Sequence, residues 1–483
     1  MTERCENFVN GKRVVSSSTD ILDITNPATG ELISTLPLTV PGEVDQCVES
    51  AQQAFGQWSR TPVSDRAQVL FRYKQKLESS FDELSELVVR DNGKTLAESR
   101  GEVRRGIEVV DYACGITAHI MGSFTENLAQ GIDCHVVRQP LGVVAGFTPF
   151  NFPIMVPLWT IPIAIACGNS YILKPSERAP LAALRLAELF HECGAPDGTF
   201  NVIHGTRSVA DCLMKHPGVM AISLVGSSPV AKQVYINATA ESKRVQALGG
   251  AKNALIVMPD ADLDFAVDSI GASGFGCAGQ RCLAGSNVIA VGKVAGRLKE
   301  QLHAHASALT IGSGRDPMTT MGPVISAESR DRGVSYIEAG EHQGAHLLRD
   351  GRQDKVTDLP DGFFIGPTLF EVPDPSRSLA CDDIFGPFLS ILSVPDLDHA
   401  IELVNASSFG NSASIYTTSG SSARQFQREV QAGMLGVNLG VPAPTASFPF
   451  GGWKGSFFGD LRAQGKEGIE FYTRPKVITA RWG

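Results

Sequence analysis

Apolar positions change rhythm along this chain, and the change separates helices from strands. Over 44–55, and from 64 to about 120, apolar side chains recur three and four apart with charged residues between them. That is the period of an amphipathic helix. Ser64 is the predicted N-cap, and Asn92-Gly93 the predicted stop within the run. Ahead of them, 8–11 and 21–30 read as turn-rich, strand-forming segments. From Leu141 short apolar runs alternate with helical ones: VVAGFTP, SYILKP, a helix over 181–193, FNVIHG and AISLVG. A βαβαβ alternation predicts a parallel sheet covered by helices. A second such block spans 249–435, with strands ALIVMP, NVIAVG and FLSILSV. The fold class is therefore α/β. The tail EFYTRPKVITARW is strand-like and long enough to pair with another subunit.

Composition narrows this picture. A chain of 483 residues exceeds one hydrophobic core, so two or three domains are expected. Apolar content of 43% and charged content of 19% suit a globular enzyme. A net charge of -9 gives no invitation to nucleic acid. The start, MTERCENFVNGK, has neither a basic leader nor an apolar segment, so a cytoplasmic protein is expected. The most apolar stretch, 150–173, holds Pro153, Pro157, Pro162 and Gly168, which argues against a membrane span. The ten cysteines show no CxxC and no Cys/His metal spacing. A reducing compartment and no metal site are expected.

Three places carry candidate chemistry. No GxGxxG follows a strand, but LKPSE closes one, and Lys174 and Glu177 there suit ribose hydroxyls. VGSSP closes another and opens a helix, so backbone N–H groups around Gly226 and Ser227 suit a pyrophosphate. Both also read as ordinary capped loops. The third is GFGCAGQRCLAGS, where small residues let backbone crowd around Cys282. Arg281 adjoins Cys282 and is expected to lower its pKa; Cys277, without an adjacent cation, is the inert comparison. A thiolate attacking an aldehyde needs a donor for the oxyanion. Asn151, in the proline-stiffened PFNFP, is the candidate, though an Asn making turn hydrogen bonds reads equally well.

Taken in order, PFNFP, LKPSE, LVGS, LGGAKN, GQRC, DIFGP and PFGGWK resemble the aldehyde dehydrogenase superfamily over nearly the whole chain. The resemblance implies a Rossmann-like NAD-binding domain over 1–121 and 140–248. It implies a catalytic α/β domain over 249–465, and a small β oligomerisation element over 122–139 and 466–483. It places the catalytic cysteine on Cys282 and the oxyanion asparagine on Asn151. Cofactor contacts fall on Phe150, Lys174, Glu177, Gly226, Ser227, Asp383 and Phe385. Asp383 stands where the family has a glutamate, one methylene longer. Glu177 favours NAD, because a carboxylate repels a 2′-phosphate.

Hydrolytic members carry a glutamate at the head of E-L-G-G-K. Here the position is Leu248, or Ala247 one residue earlier, and neither deprotonates water. A thiol needs less help, with a free pKa of ~8.5. Coenzyme A is therefore the expected acyl acceptor. GEVRRGIEVVDYACG, FNFPIMVPLW, KRVQALGGAKN, GMLGVNLGVPAP and FPFGGWKGSFFGDL resemble the CoA-acylating methylmalonate-semialdehyde dehydrogenase branch, although its usual histidine after AKN is Ala254 here. The resemblance implies a small 3-oxo acid substrate, methylmalonate or malonate semialdehyde, and a homodimer or homotetramer. A substrate carboxylate needs a cation; Arg105 and Arg281 are the candidates, and Arg105 also reads as part of a solvated helix face. Phe152, Trp159 and Phe448 are expected to line the pocket. Two rival readings stand beside this one: a dehydrogenase releasing the free acid of another small aldehyde, and a non-catalytic NAD-binding scaffold.

Overall fold

The computed structural model describes residues 3–482. The helical run of the first quarter is divided into Pro41–Trp58, Val63–Ser79, Phe81–Asn92 and Leu96–Cys114. Gly93, at φ 89°, closes the third of these where Asn92-Gly93 predicted a stop. Ser64 is not a cap: Pro62 sits at that boundary without a side-chain bond, and the Ser64 hydroxyl turns to Asp65. A proline ahead of the first turn fixes φ and needs no cap of its own. Thr95 caps the fourth helix in a reciprocal capping box with Glu98.

The first sheet has a doubly wound centre. In space its parallel strands run Arg244–Leu248, Val219–Val225, Val143–Phe147, Ser170–Lys174 and Phe200–Val202. All five carry mostly buried side chains on both faces, as strands between two helical layers must. The chain order reverses between Val143–Phe147 and Val219–Val225. Such a switch point opens a crevice at the carboxyl ends of the two strands. Antiparallel strands finish both edges: Asn7–Val9 and Lys12–Val14 on one side, Phe457–Phe458 on the other. Phe457–Phe458 comes from the far end of the chain, so the C-terminal part reaches back to close this sheet.

The second sheet centres on Asn253–Val257, flanked by Gly285–Val291 and Ser412–Tyr416 in parallel. The tail expected to pair with another subunit pairs first within its own chain. Thr473–Arg481 runs antiparallel to Ile132–Pro140, which forms a hairpin with Ser123–Ala129. Among the described residues, the outer edge of Thr473–Arg481 pairs with no strand. No helix of the described residues is long and apolar enough to cross a membrane.

Candidate functional site

Two cavities meet at Cys282. The larger, about 1190 Å³, is the crevice of the switch point. The smaller, about 310 Å³, lies between the helix Leu96–Cys114, the helix Met155–Ala166 and the loop over 441–446. Cys282 and Arg281 line both. A reagent in either space therefore reaches the same sulfur.

The crevice gathers the residues that the sequence assigned to a dinucleotide. Lys174 and Glu177 lie at one end, 3.4 Å apart, with the Lys174 ammonium also donating to the Pro175 carbonyl at 2.8 Å. Burial pulls the Lys174 pKa down, and Glu177 partly restores it. Ser227 is the N-cap of the helix Ser228–Ala240 and makes no side-chain cap bond, so Ser227, Ser228 and Val230 face the crevice together. That leaves first-turn donors for an anion. At the other end Asp383 Oδ2 accepts the Ala251 N–H at 3.2 Å. Burial raises its pKa, against that bond and the nearby Lys252 and Arg332. Phe385 holds φ 58° and meets Phe150 edge-on at 5.9 Å. The volume, the anion-seeking helix start and the polar ends fit an extended dinucleotide.

The cysteine loop is conformationally strained. Cys277, Ala278 and Gly279 all have positive φ, at 51°, 50° and 69°. For the two non-glycine residues this costs about 1–2 kcal/mol each. Glu98 holds the bend: its Oε1 accepts the Cys277 N–H at 2.6 Å, and its Oε2 accepts the Thr95 N–H at 3.0 Å. Arg281 was expected to lower the Cys282 pKa, but burial outweighs it and pushes the thiol up to about 11. Arg281, together with the N–H groups of Cys282 and Leu283, pulls the other way. Cys277 is pushed up to about 12, by burial first and by Glu98 second.

Asn151 lies on the opposite wall, and its Nδ2 donates to the Gln280 carbonyl at 3.0 Å. An amide nitrogen carries two hydrogens, so one remains. The loop carrying Asn151 is clamped by three groups that sequence reading missed. Asn92 Nδ2 donates to the Phe150 carbonyl at 2.9 Å, and Lys94 Nζ to the Asn151 carbonyl at 2.7 Å. Glu102 Oε1 accepts the Ile154 and Met155 N–H groups at 2.8 and 3.1 Å. Lys94 and Glu102 themselves pair at 2.6 Å with both side chains almost wholly buried. Burial is the largest influence and opposes the Lys94 charge, but Glu102, Cys277 and Glu98 together outweigh it and the pKa rises. The Lys94 ammonium also sits 4.2 Å above the Phe152 ring.

In the smaller cavity Phe152 and Trp159 are in place. Phe448 is not: it is 63% exposed, and Phe450 fills the cavity wall instead, 4.3 Å from Trp159. Phe448 lies in a turn that its N–H closes onto the Thr445 carbonyl at 2.9 Å, whereas Phe450 is held inward by a bridge to Ala463, so strand alternation does not relate the two. Arg105 is already engaged, with Glu108 at 2.9 Å and the Pro444 carbonyl at 2.6 Å. Among the described residues no carboxylate pairs with Arg281, whose guanidinium donates to the Ala272 carbonyl at 3.3 Å. Every carboxylate of this cavity has a partner: Glu98 the cysteine loop, Glu102 Lys94, and Glu108 Arg105. Leu248 and Ala247, where a hydrolytic base would stand, are both buried apolar groups.

A dinucleotide-sized crevice and a small carboxylate-compatible pocket that share one thiol define a dehydrogenase class. Comparison with known proteins makes the assignment narrower. The family model "Aldehyde dehydrogenase family" matches residues 14–478. This chain belongs to the aldehyde dehydrogenase family and is an NAD-dependent oxidoreductase. It is 51% identical over 480 residues to a malonate-semialdehyde dehydrogenase of Halalkalibacterium halodurans, covering 99% of each chain. A Geobacillus thermodenitrificans malonate-semialdehyde dehydrogenase is also 51% identical, covering 99% of this chain and 98% of that protein. Among solved structures, a methylmalonate-semialdehyde dehydrogenase from Oceanimonas doudoroffii superposes with TM-score 0.98 at 43% identity, over 100% of this chain and 99% of the other. A Sinorhizobium meliloti structure assigned to the same activity and complexed with NAD gives TM-score 0.99 at 42% identity, over 100% and 99%.

Proposed function

We propose that this chain oxidises malonate or methylmalonate semialdehyde and passes the decarboxylated acyl group to coenzyme A. The observation that carries this reading is that Cys282 lines both cavities while Leu248 and Ala247, where a hydrolytic base would stand, are buried apolar groups. The names of the relatives support the substrate class, and the unpaired Arg281 supports a carboxylated aldehyde.

In this reading Cys282 is the nucleophile and bonds its sulfur to the aldehyde carbon. The spare Asn151 N–H and the Cys282 N–H receive the oxyanion. Arg281 holds the substrate carboxylate, and Arg105 assists from its Glu108 pair. Bound NAD supplies the hydride acceptor. In the crevice, Lys174 and Glu177 hold ribose hydroxyls, the Gly226–Ser227 turn holds phosphate, and Asp383, Phe150 and Phe385 border the nicotinamide end. The acyl group is left on sulfur with a carboxylate β to its carbonyl. Carbon dioxide departs as the thioester carbonyl takes up the electron pair, and a proton replaces it. The CoA thiolate then attacks the thioester and frees the Cys282 thiolate.

We assign 1–121 with 140–248 to the cofactor, 249–465 to catalysis, and 122–139 with 466–483 to self-association as homodimer or homotetramer. The unpaired edge of Thr473–Arg481, with Val477 and Trp482 exposed, supports the last of these. We place the protein in the cytoplasm.

Mass spectrometry of the product, with and without CoA, tests the reading. Acetyl-CoA or propionyl-CoA, with sustained NADH formation only when CoA is present, is the expected result. Sustained turnover in water to a free acid would overturn it.

A further inference from the structure

Two buried asparagine side chains converge on one carbonyl beside the proposed nucleophile. Asn411 Nδ2 donates to the Cys282 carbonyl at 2.8 Å, and Asn253 Nδ2 donates to it at 3.0 Å. Both residues are buried. Asn253 is fixed further, since its Nδ2 also donates to the Ala284 carbonyl at 2.8 Å and its Oδ1 accepts the Ser412 N–H at 3.1 Å. The sheet sets the spacing of the two amides. Asn253 opens the strand Asn253–Val257, Asn411 immediately precedes Ser412–Tyr416, and these strands are parallel neighbours with Ala254 opposite Ala413.

A buried carbonyl needs one donor to be satisfied, and here both lone pairs are taken. The same planar, trans peptide group carries the Leu283 N–H on its opposite side. That N–H, with the N–H of Cys282, draws the Cys282 thiol pKa down against the burial that raises it. Hydrogen bonds at a carbonyl polarise the peptide and strengthen its N–H as a donor. Rotation of the peptide would carry the N–H away from the sulfur, and two fixed amides oppose that rotation.

We infer that Asn253 and Asn411 are positioning residues for the nucleophile: by gripping the Cys282 carbonyl they aim and polarise the Leu283 N–H toward the sulfur. This rests on Cys282 being the nucleophile. Burial works against the thiolate, so the loss of a polarised donor is felt directly as a lower thiolate fraction.

The test is alkylation of Cys282 by iodoacetamide, followed on its own peptide by mass spectrometry across a range of pH. The assay needs neither substrate nor cofactor. Asn411→Leu keeps the approximate size and removes the donor. Its alkylation rate at pH 8 should fall about three- to tenfold, with the whole profile moved to higher pH. The exposed Cys381 should react as before and serves as the internal reference. Asn411→Asp replaces the donor with a negative charge and should shift the profile further. If Asn411→Leu does not fold, Asn411→Asp and Asn253→Ser decide the matter in the same assay. Unmoved profiles in the folded variants would overturn the inference, whatever happens to turnover. Turnover that survives Cys282→Ser would sink the nucleophile reading separately, and the alkylation profiles would still decide the role of the asparagines.

Discussion

Lys94→Met isolates the clamp behind the Asn151 loop. The side chains of Lys94 and Glu102 are 1% and 0% exposed, with nitrogen and oxygen 2.6 Å apart. Removing one member of such a pair strands a buried charge and costs about 3–5 kcal/mol. The Ile154 and Met155 N–H groups still reach Glu102, which pulls the cost toward the lower end. Loss of the bond to the Asn151 carbonyl and of the contact with the Phe152 ring pulls it up again. The expected destabilisation is therefore about 3–5 kcal/mol, read as a lower urea midpoint. Glu102→Gln in the same chain removes the stranded charge, so Lys94→Met/Glu102→Gln should be more stable than Lys94→Met alone. Turnover should stay at least about tenfold down in the double variant, because the Asn151 carbonyl has still lost its anchor. A Lys94→Met variant as stable as the parent would refute the reasoning, as would a double variant no more stable than the single.

Three further outcomes follow from the site. Arg281→Leu should raise KM for a carboxylated aldehyde about 10- to 100-fold, with little change for propanal, and Arg105→Leu should do less because Glu108 already shares it; equal effects on both aldehydes would assign Arg281 to the thiol instead. Burial holds the Cys282 thiol protonated at neutral pH, with its pKa at about 11, so alkylation of the free enzyme should climb about tenfold per unit between pH 7 and 9; a plateau below pH 8 would contradict this. Gly279→Ala should fail to fold or lose several kcal/mol, because a Cβ there would lie 1.9 Å from the Gly386 carbonyl oxygen on a backbone at φ +69°; a parent-like melting temperature would show that the loop relaxes.

The chemistry-bearing motifs were legible because each is local. PFNFP, GQRC and LKPSE each put small, rigid or charged residues within one turn, and the fold brings those turns together at strand ends. The βαβ texture was legible for the same reason, since strands buried on both faces read as unbroken apolar runs. What stayed hidden depends on contacts distant in sequence. Lys94 lies ahead of its helix, so its pairing with Glu102 has no helical spacing to betray it. Thr95 and Glu98 did carry a signal, the capping box, but that pattern does not say that Glu98 also holds the Cys277 N–H. Asn411 and Asn253 meet Cys282 only through sheet pairing. Phe448 and Phe450 are told apart by a turn at Phe448 and a long-range bridge from Phe450 to Ala463, neither of which residue spacing reports. The effect of Arg281 on the thiol was read from adjacency, and burial, which adjacency does not report, won.

The central claim is a covalent bond between the Cys282 sulfur and the substrate's acyl carbon. Incubation with malonate semialdehyde and NAD in the absence of CoA, followed by acid quench and peptide mapping, tests it most directly. The account predicts an acyl mass increment on the peptide that holds Cys282, removed when CoA is added before the quench. An increment on Cys277 or any other residue, or NADH formed with no increment at all, would contradict it.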